Sequence, residues 1–188
     1  MRVLGVDPGL TRCGVGVVEG GPGRSPVLLA ADVVRTSADL EPGQRLAALE
    51  RSLVQFIAEY RPDAMAVERP FARRDVSTIM GTVQAAGVAL LVGTRAGLQV
   101  VQHTPTEVKA AITGSGRADK EQVGHMVMRV LKLDAPPRPP DAADAVALAI
   151  CHLWRAPALR RVEEARLRAE LAAGRAASRA RARERRLS

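Results

Sequence analysis

Met1-Arg-Val-Leu-Gly-Val-Asp7-Pro-Gly-Leu-Thr-Arg-Cys13-Gly-Val-Gly-Val-Val18 decides the fold. Val3 to Asp7 is a short apolar run closed by Pro8-Gly9, a turn signal. From Cys13 to Val18 small and apolar residues alternate, and Pro26 to Val34 is a third β-rich stretch. Gly and Pro punctuate both gaps, so the three segments predict an antiparallel meander.

Downstream the period changes. Leu46, Leu49, Leu53 and Phe56 fall at helical spacing in a segment from about Pro42 to Tyr60. Ala64 to Val67 predicts a short buried strand ending at Glu68. Val76 to Ala96 predicts a long helix whose Gly and Ala content suits close packing against another element or subunit. Leu98 to Gln102 predicts a strand, Pro105 opens a helix at a favourable first-turn position, and Asp119 caps a helix reaching Leu131. Asp134 to Pro140 carries four prolines, and a last core helix is expected from Asp141 to Trp154, stopped by Pro157. Three strands followed by alternating helices and strands predict a mixed α/β sheet with helices on its faces.

The chain has 188 residues, enough for one domain with an appendage, and a formal net charge of +8. The excess is local. Residues 158–188 hold ten Arg and four Glu, a net of +6, and leave +2 for residues 1–157. This divides the chain into an expected folded domain, 1–156, and a basic Ala/Arg-rich tail, 157–188, partly helical or disordered. The tail reads either as a solvated extension or as a sequence-blind arm on phosphates. Only Phe56, Tyr60, Phe71 and Trp154 are aromatic, too few for a base-stacking platform of the single-strand-binding type. Cys13 and Cys151 are isolated, so neither a disulfide framework nor a zinc module is expected. The longest apolar run, Ala85 to Gly93, is about half the length of a membrane span. With no secretory segment apparent, a cytoplasmic location is expected.

Four carboxylates stand where apolar residues or turns would be ordinary: Asp7 and Glu68 close apolar strands, and Asp141 and Asp144 share one face of a helical turn. Singly, each has a structural reading, as a turn residue, an ion-pair partner or a helix cap. Together they are hard to bury without a shared cation. Magnesium prefers carboxylate oxygens and needs few protein ligands, and a pair of such ions suits in-line attack on a phosphodiester.

The Asp-Pro-Gly-Leu-Thr-Arg-Cys-Gly-Val-Gly-Val-Val, Val-Glu-Arg-Pro-Phe and Asp-Ala-Ala-Asp-Ala segments resemble the RuvC family, the bacterial crossover (Holliday) junction endodeoxyribonucleases of the RNase H-like superfamily. The similarity spans about residues 1–155. It implies an RNase H-like fold, a five-stranded mixed sheet flanked by helices. It implies a homodimer that nicks opposite strands of a four-way DNA junction symmetrically, and a branch-migration helicase (RuvA, RuvB) as partner. It assigns the metal-binding and catalytic tetrad to Asp7, Glu68, Asp141 and Asp144, for two Mg2+ per site with Mn2+ as a substitute.

The family pattern also carries a basic pair that matches Lys109 and Lys120. These are two of only three lysines in a chain with 28 basic residues, and a compact ammonium is not equivalent to a guanidinium fork. Gly114-Ser115-Gly116, followed by Arg117, is a loop whose backbone N–H groups can approach phosphate. Phe71, with Arg73 and Arg74, lies in the segment after Glu68 and suits either stacking on an unpaired base or anchoring a loop. His103 and His125 read as structural or surface residues, and His152 and Trp154 as packing residues.

Three other readings remain. Another RNase H-like nuclease or transposase shares the acids. An actin–hexokinase-type ATPase shares the early strand and Asp-x-Gly turn but needs more chain. A non-catalytic DNA-binding protein leaves the acids unexplained.

Overall fold

The computed structural model describes the backbone of residues 1–70 and 76–187, and the side chains of 1–70, 79–162, 164–171 and 173. Strands β1 (Arg2–Asp7), β2 (Arg12–Gly21) and β3 (Arg24–Arg35) form the antiparallel meander. α1 (Pro42–Tyr60) leads to β4 (Ala64–Glu68), and α2 (Val76–Arg95) leads to β5 (Gln99–His103). The sheet order is β3-β2-β1-β4-β5, with β4 parallel to β1 and β5 parallel to β4. α3 (Pro105–Thr113), α4 (Lys120–Leu131) and α5 (Pro140–Leu187) complete the chain. This is the five-stranded mixed sheet of the RNase H-like fold.

Alternation along the strands sends neighbouring side chains to opposite faces. Leu4, Val6, Val15, Val17, Met65 and Val67 pack under α1 and α2, with Leu49, Leu53, Ala85 and Ala89. Val3, Val18 and Ala66 pack on the other face with α3, α4 and α5, through Val108, Val127, Val146 and Ile150. The small residues of α2 therefore do seat it on the sheet: a Cβ on Gly93 would stand 2.7 Å from a Val100 methyl and 2.9 Å from the Met65 sulfur. The other side of α2 presents Met80, Val83 and Leu91, each about half exposed.

The glycines of the opening segment have a specific use. A Cβ on Gly5 would lie 2.0 Å from the Ala145 carbonyl oxygen, and one on Gly14 would lie 2.0 Å from that of Asp141. Only hydrogen at these positions lets α5 lie directly on β1 and β2. The helix starts are fixed locally: Thr104 with Glu107 and Asp119 with Gln122 form capping boxes at α3 and α4. Gly114 ends α3 at φ 81°, a left-handed conformation that glycine adopts without strain.

Two sequence expectations are corrected. α5 does not stop at Pro157, which lies inside the helix. Pro157 removes one ladder hydrogen bond, but strong helix formers on both sides carry the helix on. Trp154, expected to pack, is 41% exposed, whereas His152 is fully buried and His103 nearly so.

The chain divides into two compact units, Met1–Trp154 and Arg155–Ser188. In the second, Arg166–Glu170 and Arg168–Glu164 form i,i+4 pairs at 3.0 and 3.7 Å. Val162, Leu167 and Leu171 are exposed there. Among the described residues no helix is long and apolar enough to cross a membrane.

Candidate nuclease active site

The register brings the acids together before any side chain is considered. Val6 of β1 pairs in parallel with Val67 of β4, so Asp7 and Glu68 end adjacent strands side by side. Both follow the alternation of Val3, Gly5 and Ala66, which places them on the face that α5 covers. Gly14, the register partner of Asp7, packs against the Asp141 backbone, so the first turn of α5 lies over the strand ends.

A cavity of about 500 Å³ opens at this point, lined by Asp7, Glu68, Lys109, Lys120 and Asp144, with Val108, Val123 and Ala147 among its apolar walls. Five of the six residues expected to be catalytic thus share one cavity. The sixth, Asp141, does not line it; its Oδ2 instead accepts a hydrogen bond from Arg12 Nε at 2.6 Å. Asp144 Oδ2 is held by Lys120 Nζ at 2.8 Å.

The electrostatics show the cost of this arrangement. Burial, then the neighbouring Glu68 and Asp144 carboxylates, push the Asp7 carboxyl from 3.8 up to about 8, against the lowering pull of Lys120. Burial and then Asp144 push Glu68 from 4.5 up to about 7, while Lys120 and Lys109 pull it down. The hydrogen bond to Asp144 raises Lys120 above the usual lysine range. Two buried carboxyls that resist ionising at neutral pH, in a basin of like charge, suit a hard cation with oxygen ligands. Among the described residues no three His, Cys, Asp or Glu side chains stand close enough as placed to enclose a metal ion.

The Gly114–Arg117 loop joins α3 to α4 and so connects the elements that bear Lys109 and Lys120. Ser115 and Arg117 are exposed, and the Ser115 hydroxyl accepts the Arg117 N–H at 3.3 Å. None of Gly114, Ser115, Gly116 and Arg117 lines the cavity. Phe71, Arg73 and Arg74 lie outside the described residues. Both cysteines are buried, and burial pushes the Cys13 thiol up to about 12, which leaves it inert. Arg12 is the residue that sequence reading missed. It sits inside the quoted motif, but nothing local announces a partner 129 positions away.

The model of the family described as crossover junction endodeoxyribonuclease RuvC matches residues 3–152. The crossover junction endodeoxyribonuclease RuvC of Streptomyces avermitilis is 63% identical over 165 residues, 88% of this chain and 94% of that protein. The structure of Thermus thermophilus RuvC in complex with a Holliday junction substrate superposes with a TM-score of 0.79 at 36% identity, covering 83% of this chain and 94% of that one. The yeast mitochondrial Holliday junction resolvase shares the fold at a TM-score of 0.57 and 13% identity, covering 82% of this chain and 80% of that one. The matched span contains the whole cavity, and the chain belongs to the RuvC family of crossover junction endodeoxyribonucleases.

Proposed function

We propose that this chain is a Mg2+-dependent endonuclease that resolves four-way (Holliday) DNA junctions by paired, symmetric nicks. The observation that carries the reading is the cavity in which Asp7, Glu68 and Asp144 meet Lys109 and Lys120. A set of carboxylates alone would repel a phosphodiester; one that holds cations attracts it. Asp7, Glu68 and Asp144, joined by Asp141, are the residues that hold Mg2+, two ions per site, with Mn2+ as a substitute. At such a site a bound pair of ions supplies a more acidic water as nucleophile and charge neutralisation on the leaving oxygen. Lys109 and Lys120 line the same cavity and place ammonium groups beside the phosphate. Lys120 can exchange Asp144 for phosphate without leaving the site, since its side chain is largely exposed.

The loop of Gly114, Ser115, Gly116 and Arg117 between α3 and α4 offers the Ser115 hydroxyl and the Arg117 guanidinium to the strand, and Phe71, Arg73 and Arg74 are further DNA contacts of the same reading. The exposed apolar side chains Met80, Val83 and Leu91 on α2 support a homodimer, which two symmetric nicks require. The basic tail is read as a phosphate-contacting arm beyond a nuclease domain of residues 1–156. A cytoplasmic setting and a branch-migration helicase partner (RuvA, RuvB) complete the reading.

The test compares substrates at equal concentration with Mg2+: a synthetic four-way junction, a linear duplex of the same sequence and an RNA–DNA hybrid. Cleavage confined to the junction is the expected result. Preferential cleavage of the hybrid would replace the junction reading with that of another RNase H-like nuclease.

A further inference from the structure

Among the four acids, the two on the strands and the two on α5 differ in how their charge is met. Asp7 and Glu68 are buried carboxyls pushed up towards neutrality. Asp144 and Asp141 each carry a basic partner, Lys120 at 2.8 Å and Arg12 at 2.6 Å. Lys120 belongs to the cavity wall, but Arg12 does not, and the acid it holds is the one that does not line the cavity.

We propose that Arg12 is a positioning residue that holds Asp141 out of the cation-binding set, so that a divalent cation recruits Asp141 only by displacing the guanidinium. The proposal rests on the reading of this cavity as a divalent-cation site. Arg12 thereby sets the cation concentration at which the four carboxylates act together.

The backbone holds the two residues at this distance. Arg12, Gly14 and Gly16 alternate onto the α5 face of β2, and a Cβ on Gly14 would strike the Asp141 carbonyl at 2.0 Å. The start of β2 is itself tied down: Thr36 N–H donates to the Thr11 carbonyl at 3.2 Å, and Arg45 Nη2 donates to the Thr11 hydroxyl at 2.7 Å. Asp141 remains within electrostatic reach of the buried site, since it is one of the charges that raise Asp7.

The strength of the pair suits a latch rather than a lock. Arg12 and Asp141 side chains are 46% and 30% exposed, and an ion pair so open to solvent favours its closed form only modestly. A divalent cation on a cluster of carboxylates competes with it readily. The cost of displacement should appear as cation affinity about two- to fivefold weaker than the same site shows without Arg12.

The test is a calorimetric titration of the full chain with Mn2+, without DNA, on wild type, Arg12→Gln, Arg12→Lys, Asp141→Asn and the Arg12→Gln, Asp141→Asn double variant. Arg12→Gln is expected to bind Mn2+ about two- to fivefold more tightly, Arg12→Lys to fall between it and wild type, and the gain to vanish in the Asp141→Asn background. In junction cleavage the Mg2+ midpoint of Arg12→Gln should move down by a similar factor. Unchanged or weaker Mn2+ binding by Arg12→Gln would overturn the proposal. So would a gain that persists without Asp141, because general removal of positive charge would then explain it. If wild type and all variants fail to bind Mn2+, the cation-site reading fails and the proposal with it; if wild type binds and Arg12→Gln matches it, only the proposal fails.

Discussion

Gly14 of β2 and Asp141 of α5 meet backbone to backbone, so closely that a Cβ on Gly14 would stand 2.0 Å from the Asp141 carbonyl oxygen. Gly14 is also the register partner of Asp7. One glycine thus fixes the distance between a strand-borne acid and the helix that carries two more. Gly14→Ala should destabilise the protein by about 1–3 kcal/mol through overpacking and shift the first turn of α5. The expected readout is a lower Tm together with a loss of cleavage larger than the loss of folded protein at the assay temperature. Wild-type cleavage in a folded Gly14→Ala variant would show that this close approach does not position the site.

Asp7→Asn and Asp144→Asn should each reduce cleavage by about a thousandfold or more, the rate equivalent of several kcal/mol of lost charge stabilisation. Junction binding, measured by gel shift, should stay near that of wild type. Asp7→Asn should also raise the Tm in EDTA, because it removes a buried carboxyl that is costly to ionise.

The pH dependence follows from the sign of the shifts. Asp7 and Glu68 have folded-state values of about 8 and about 7, above the ordinary 3.8 and 4.5. Between those limits the folded chain binds more protons than the unfolded one, so this contribution to stability falls as pH rises from about 4 to about 8. In EDTA, denaturation midpoints should decline across that window, and Asp7→Asn should flatten the decline. Cation binding must release these protons, so Mn2+ affinity should increase with pH until about 8. A Tm in EDTA that rises from pH 5 to pH 8 through these two groups would contradict the assignment.

Removal of residues 158–188 takes away a net charge of +6. Junction affinity should fall, and the slope of log K against log salt should flatten by about 0.9 for each phosphate that the shortened chain no longer neutralises. An unchanged slope would place the tail away from the DNA.

Much of this could be read from the chain. The alternation around Asp7-Pro-Gly predicts the meander because a strand with two buried faces, one under α1 and α2 and one under α5, needs small and apolar residues throughout. Asp7 and Glu68 were legible as acids that close apolar strands, and Asp144 as an acid on the first turns of a helix, and the cavity joins them. What the sequence withheld were choices made across the fold. The Arg12–Asp141 pair depends on β2 and α5 lying against each other, which no local pattern encodes. The buried His103–His152 contact at 3.2 Å joins β5 to α5 in the same way. Pro157 reads locally as a stop, and only the helix-forming residues around it decide otherwise.

Cutting of four-way junctions by the carboxylate cavity with a divalent cation is tested by mapping nicks on a synthetic junction labelled on each strand in turn, with Mg2+ and with EDTA. Paired nicks at symmetry-related positions on opposite strands are expected with Mg2+ and not with EDTA. Junction binding without nicks at any Mg2+ or Mn2+ concentration, or nicks that persist in EDTA, would contradict that reading of the site.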